Sequence, residues 1–140
     1  MIKMFLASLA ALPVMALGQV PNFTDSNRAD GQSQIEKAGK LLADNLRSPV
    51  GVRFRNVYLF KTIGKDGSDY ISVCGEVNAQ NGYGGMTGFQ NFTTVGKTLL
   101  TGSKGILNAD MVCNGTTPRV RDDRDYTGDL RKAFDANAGQ

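Results

Sequence analysis

Histidine is absent from this 140-residue chain, and so is tryptophan. Without histidine there is no Ser-His-Asp or Cys-His arrangement to activate a nucleophile, no zinc-protease motif and no His-based zinc site. Charge of one sign is lacking too. The chain has 16 basic and 13 acidic residues, a near balance that becomes 15 against 13 once Lys3 is set aside. No electrostatic footprint for nucleic acid is evident. Arg53 and Arg55 form a two-residue patch with no interleaved aromatic platform. A long apolar run is also missing. The apolar stretch from Met4 to Leu17 is short for a bilayer span and has no charged stop-transfer segment behind it. Cysteine occurs twice, at Cys74 and Cys113.

What is present at the amino terminus reads as an export signal. Lys3 supplies a minimal positive region, Met4–Leu17 the apolar core, and Ala16-Leu17-Gly18 the small residues a signal peptidase reads. Residues 1–18 are therefore expected to be a signal peptide, leaving a periplasmic or secreted protein without stable membrane insertion. In an exported chain an even cysteine count argues for a Cys74–Cys113 disulfide rather than a metal site. The remaining length suits one domain with a modest core.

Residues 19–32 are polar and turn-rich and read as a flexible leader. Ser33-Gln34-Ile35-Glu36 has the form of a capping box. Behind it Ile35, Ala38, Leu41, Leu42 and Leu46 share a helical stripe, and Pro49 disfavours helix at Ser48, so the pattern predicts a helix over 34–47. Gly39 weakens that helix. Residues 52–62 and 70–77 carry β-formers with partial alternation, joined by a turn with Asp66-Gly67 at its tip. They predict an antiparallel hairpin. A third strand is expected over 89–95, a loop over 97–105, and a fourth strand over 106–113. Residues 114–128, dense in Arg and Asp, read as a solvated linker, and Leu130, Ala133 and Phe134 as one side of a short helix. The expected fold is α+β: an N-terminal helix on a small, mainly antiparallel sheet within 33–114, with one disulfide and a polar tail over 115–140.

Leu46-Arg47-Ser48-Pro49, Arg53-Phe54-Arg55-Asn56-Val57, Cys74-Gly75-Glu76-Val77-Asn78, Asn81, Tyr83-Gly84-Gly85 and Gly88-Phe89 follow one another in a recurring order. The chain resembles, over residues 33–113, a group of small exported proteins of bacteria and their prophages that has no assigned activity. It departs from that pattern at Ser48, where an Asp often precedes the proline. The resemblance implies the same fold, export and a bacterial or phage origin, and assigns no catalytic residue.

The Gly-rich loop NGYGGMTG lacks the Gly-Lys-Ser/Thr ending and the helix that a phosphate loop needs, so no cofactor is expected. Its glycines and asparagines serve a tight connection, and Asn78, Asn81, Tyr83 and Phe89 offer amide, phenol and aromatic contacts to a partner. Glu76 reads first as a strand carboxylate paired with Arg53 or Arg55 across the hairpin. The run RDDRD at 121–125 lacks the spacing of a calcium loop. The expected function is an envelope-associated binding module for an unknown envelope protein or polar ligand, with no nucleic acid, metal or cofactor. The alternative is a small secreted hydrolase using carboxylates such as Glu76 and Asp110.

Overall fold

The computed structural model describes residues 22–102, 108–115 and 119–139. The expected signal segment, residues 1–18, lies outside the described residues. Helix α1 (Asp25–Asn45) is followed by strands β1 (Arg53–Ile63), β2 (Asp69–Gln80), β3 (Met86–Val95) and β4 (Thr98–Thr101). Helix α2 (Ala109–Asn114), strand β5 (Arg119–Arg121) and helix α3 (Thr127–Ala138) complete the chain. The five strands form one sheet in the order β4-β3-β2-β1-β5, antiparallel throughout. The expected α+β fold, helix-on-sheet arrangement and disulfide are all present.

Alternation decides which side of each strand meets the helices. Along β2, Val73, Gly75, Val77 and Ala79 are buried on the helix side, and Ser72, Cys74, Glu76 and Asn78 point the other way. In β1 the alternation changes phase. Asn56 adopts φ 53°, and the pairing with β2 shifts register between Arg55 and Tyr58. This bulge lets Phe54, Val57 and Leu59 all reach the core, while Arg55, Tyr58 and Phe60 share the opposite face. Asparagine is among the few side chains that tolerate that left-handed conformation.

The core lies between the sheet and the α1–α3 pair. Ile35, Ala38 and Leu42 from α1 and Leu130 and Phe134 from α3 close over Val57, Leu59, Val73, Val77 and Phe92. Phe54 stands edge-on to Phe134 at 5.2 Å and to Phe92 at 6.4 Å between ring centroids. Gly75 leaves room for the Phe92 ring, since a Cβ there would lie 2.8 Å from both Phe92 Cε1 and Val57 Cγ2.

Four sequence expectations are corrected here. The helix starts seven residues before the expected leader ends, at Asp25, capped by Thr24 and Asn27 rather than Ser33 and Glu36. Thr24 and Asn27 each accept the other's backbone N–H, a box with Asn in the glutamate position. The extra turns are held from afar, by Arg28 bonded to Asp122. The expected loop over 97–105 contains β4, which pairs with β3. The expected strand over 106–113 is, from Ala109, helix α2. The Asn108 side chain accepts the Met111 N–H, and Cys113 ties this short helix to β2.

The expected linker and polar tail belong to the folded domain. Residues 119–121 form β5 against β1, Asp122 and Tyr126 are buried, and α3 supplies Leu130 and Phe134 to the core. Asp122 is only 1 % exposed and accepts both Arg28 Nε and Nη2, at 3.2 and 3.1 Å, and the Tyr126 hydroxyl. Burial alone would raise its pKa. The hydrogen bonds from Arg28 and Tyr126 outweigh burial and hold it at about 2. Tyr126 is pushed up to about 12 by burial and by the hydrogen bond to that carboxylate. Asp125 accepts the N–H of Thr127 at 2.8 Å. The mixed-charge run therefore stitches α1, β1 and α3 together.

Candidate functional site

Helices α1 and α3 cover one face of the sheet, and the other face carries the site. Its floor comes from alternate residues of three strands: Asn56, Tyr58 and Phe60 of β1, Cys74 and Glu76 of β2, and Asn91 of β3. Two walls rise from the floor. Helix α2 contributes Cys113 and Asn114, fixed by the Cys74–Cys113 disulfide with its Cα atoms 5.9 Å apart. Strand β5 contributes Arg121. The cleft, open to solvent, measures about 300 Å³, the lower end of ligand-pocket sizes. A hydrogen bond from Arg119 Nη1 to the Val112 carbonyl joins the two walls.

Glu76 is the centre of a chain of contacts. Arg55 Nη2 donates to its Oε1 at 2.9 Å, and Asn56 Nδ2 donates to Oε2. The Arg55 guanidinium carbon also lies 3.9 Å from the centroid of the Phe89 ring. The hydrogen bonds from Arg55 and Asn56, with burial opposing and the Arg55 charge assisting, hold the Glu76 carboxyl below its ordinary range. It is an ionised acceptor, unsuited to donating a proton as a general acid. Asn91, opposite Glu76 in register, donates from Nδ2 to Asp110 Oδ1. The fold thus places both carboxylates of the hydrolase alternative beside Asn91.

Basic and aromatic side chains interleave on this face, correcting the expectation of an isolated Arg53–Arg55 patch. Arg121 lies over Tyr58 at 4.4 Å and Arg119 over Phe60 at 5.1 Å from guanidinium carbon to ring centroid. Arg121 forms no ion pair among the described residues. Each ring carries a guanidinium on one face, an arrangement that orients the arginine fork and leaves that face closed to base stacking.

The residues singled out in the sequence divide into two groups. Asn78 and Phe89 are directly opposed in the β2–β3 register, with Asn78 Oδ1 buried and without a hydrogen-bond partner among the described residues. Asn81 and Tyr83 sit at the hairpin tip. Asn81 Oδ1 accepts the N–H groups of Tyr83 at 2.9 Å and Gly85 at 3.1 Å, so this amide is occupied in shaping the turn. Tyr83 is fully exposed. Sequence reasoning missed Tyr58, Asn91, Asn114 and Arg121. The one available signal was Asn56 between Arg55 and Val57, where a break in alternation exposes Tyr58 and Phe60.

A wider groove of about 1130 Å³ runs beside α1, with Leu41, Ile71 and Val95 in its lining and Lys37, Lys40 and Lys97 among its charged residues. Asp30, Asp44, Asp69, Tyr70 and Thr94 also line it, and Thr94 Oγ1 is buried without a hydrogen-bond partner among the described residues. Unlike the Glu76 cleft, it has no wall fixed by the disulfide. No helix among the described residues is long and apolar enough to cross a membrane. Among the described residues no three His, Cys, Asp or Glu side chains converge to hold a metal ion. No family model matches this chain, and neither a curated protein nor a solved structure matches it.

Proposed function

We propose that this chain is an exported binding module of the bacterial envelope, and that its ligand is polar and seats in the cleft between α2 and β5. The observation that carries the reading is convergence. An ionised Glu76, the asparagines 56, 91 and 114 and the guanidinium of Arg121 come from five separate elements to line one cleft of about 300 Å³. Its walls are pinned by a covalent bridge on one side and sheet pairing on the other, which lowers the ordering cost on binding. Export is supported by the disulfide, by the amino-terminal signal pattern and by the resemblance to small exported bacterial and phage proteins.

Amide chemical-shift mapping of the mature, oxidised protein against fractionated envelope extract tests the reading. The expected result is perturbation concentrated at residues 56–60, 74–76, 91 and 113–114, lost in Arg121→Gln at unchanged Tm. Perturbation confined to residues 81–88 would move the site to the hairpin tip and refute the cleft. Substrate turnover by the wild type that disappears in Asp110→Asn would favour the hydrolase instead.

A further inference from the structure

The two ends of the cleft differ in chemistry, and the difference restricts what fits. At the β5 end stands Arg121, its guanidinium carbon over the Tyr58 ring at 4.4 Å from the centroid, with no carboxylate partner among the described residues. A stacked guanidinium keeps its N–H fork free at the edge, the geometry that receives a carboxylate or phosphate through two hydrogen bonds. At the β2–β3 end the unused capacity is mostly accepting. Asn56 and Asn91 each spend one of two amide N–H groups, on Glu76 and Asp110, leaving one N–H and both carbonyl lone pairs apiece. Glu76 accepts one bond at each oxygen and has lone pairs to spare. A ligand must therefore bring an anion to one end and several donors to the other.

An ammonium group and a set of hydroxyls are both donors, and the charge at Glu76 separates them. The Arg55 guanidinium 2.9 Å away already neutralises that carboxylate, and the Asp110 carboxylate behind Asn91 does not line the cleft, so a second cation gains little there. Neutral hydroxyls need acceptors and no net field. Resting on the cleft reading above, we infer that the ligand class is an anionic sugar. Its carboxylate or phosphate lies on Arg121, and its ring hydroxyls donate to Glu76, Asn56 and Asn91. Asn114 on the α2 wall, exposed at the cleft edge, supplies both a donor and an acceptor to the same ring.

The experiment is a set of NMR titrations of the mature, disulfide-bonded protein at matched ionic strength. The probes are D-glucuronate, glucose 6-phosphate, glucose and L-glutamate. Saturable shifts at residues 58, 74–76, 91 and 113 with one or both acidic sugars are expected, with glucose at least about tenfold weaker, a gap of about 1.4 kcal/mol. The stronger of the two acidic sugars identifies the acid group as carboxylate or phosphate. Arg121→Gln should bring the acidic sugar down to the affinity of glucose, and Arg121→Lys should restore part of the loss. Glucose binding as tightly as the acidic sugars, glutamate binding more tightly than either, or Arg121→Gln leaving affinity unchanged each overturns the inference. If envelope extract perturbs the cleft while all three sugars fail, the sugar assignment falls and the cleft stands. If the sugars shift only residues 81–88, the cleft itself falls.

Discussion

The two faces of the sheet are made from alternate residues of the same strands, yet they do opposite work. The helix-covered face is apolar and closed, with Val57, Leu59, Val73 and Phe92 fully buried beneath α1 and α3. The other face carries Arg55, Tyr58, Glu76 and Asn91, and only the short α2 covers part of it. One face holds the fold by excluded water, and the other holds polar groups in place through pairs such as Arg55–Glu76. The stabilising face and the proposed binding face are separated here by a single residue step. A change on the polar face should therefore leave folding nearly intact, and a change on the apolar face should not.

The disulfide is where that separation should break most sharply, because it belongs to the polar face and still constrains the whole chain. Cys74 and Cys113 are separated by 39 positions, and closing such a loop is worth about 4 kcal/mol in the chain-entropy account. The double variant Cys74→Ser, Cys113→Ser is expected to lose that much in urea denaturation and to release α2 from the cleft. A loss below about 1 kcal/mol would mean that packing alone holds α2, since measured values for bridges begin near zero.

Asp122 offers the next largest test, now on the edge shared by the faces. Its folded pKa of about 2 lies below the unfolded value near ~3.9. Its stabilisation is thus present above about pH 4 and is lost as pH falls toward 2, an effect of about 2–3 kcal/mol. Asp122→Asn should lose that amount at pH 7 and show a shallower acid limb than the wild type. Tyr126, at about 12, has the opposite sign. Its contribution is complete below about pH 10 and lost as pH rises through 12. Tyr126→Phe should flatten that alkaline limb, and an unchanged limb would place the sensitivity elsewhere.

Gly39 sharpens the comparison from the apolar side. In an isolated helix, alanine there would gain about 1 kcal/mol. In the fold, a Cβ at Gly39 would lie 2.5 Å from Ala133 Cβ and 2.8 Å from the Phe134 backbone nitrogen. Overpacking of that kind costs about 1–3 kcal/mol, so Gly39→Ala is expected to destabilise by a smaller net amount, read by thermal melting. A stabilised variant would show that α1 and α3 separate without loss.

The smallest effects belong to the hairpin tip, where two neighbours should diverge. Tyr83→Ala should change stability by less than about 0.5 kcal/mol, as for an ordinary surface residue. Asn81→Ala removes the side-chain oxygen that accepts two backbone N–H groups and should cost about 1 kcal/mol. Loss of ligand binding by Tyr83→Ala at unchanged Tm would shift the site from the cleft to the tip.

Much of the frame was legible in residues alone. The stripe from Ile35 to Leu42, the β1–β2 hairpin around Asp66-Gly67, the β3 strand and the pairing of Cys74 with Cys113 all follow from period, turn chemistry and cysteine count. A cross-strand arginine for Glu76 was legible as Arg53 or Arg55, and the register selects Arg55. The short helix carrying Leu130 and Phe134 was legible too; residues 119–126 were not. Arg and Asp in a dense run have the composition of a solvated segment, and the partner that buries Asp122 is Arg28, 94 positions earlier.

By itself, then, the sequence determined what depends on near neighbours: helix and strand periodicity, the first hairpin, and the scarcity of groups for nucleophilic or metal chemistry. Tertiary structure alone decided the cleft. Arg121 reaches Tyr58 only because β5 returns to β1, and Tyr58 points outward only because the bulge at Asn56 reverses the phase of its strand. Asn114 reaches the same place through a covalent link between Cys113 and Cys74. Alternation is written locally, every second residue. Convergence requires the register of strands far apart in the chain, which forms only when the core on the other face has packed.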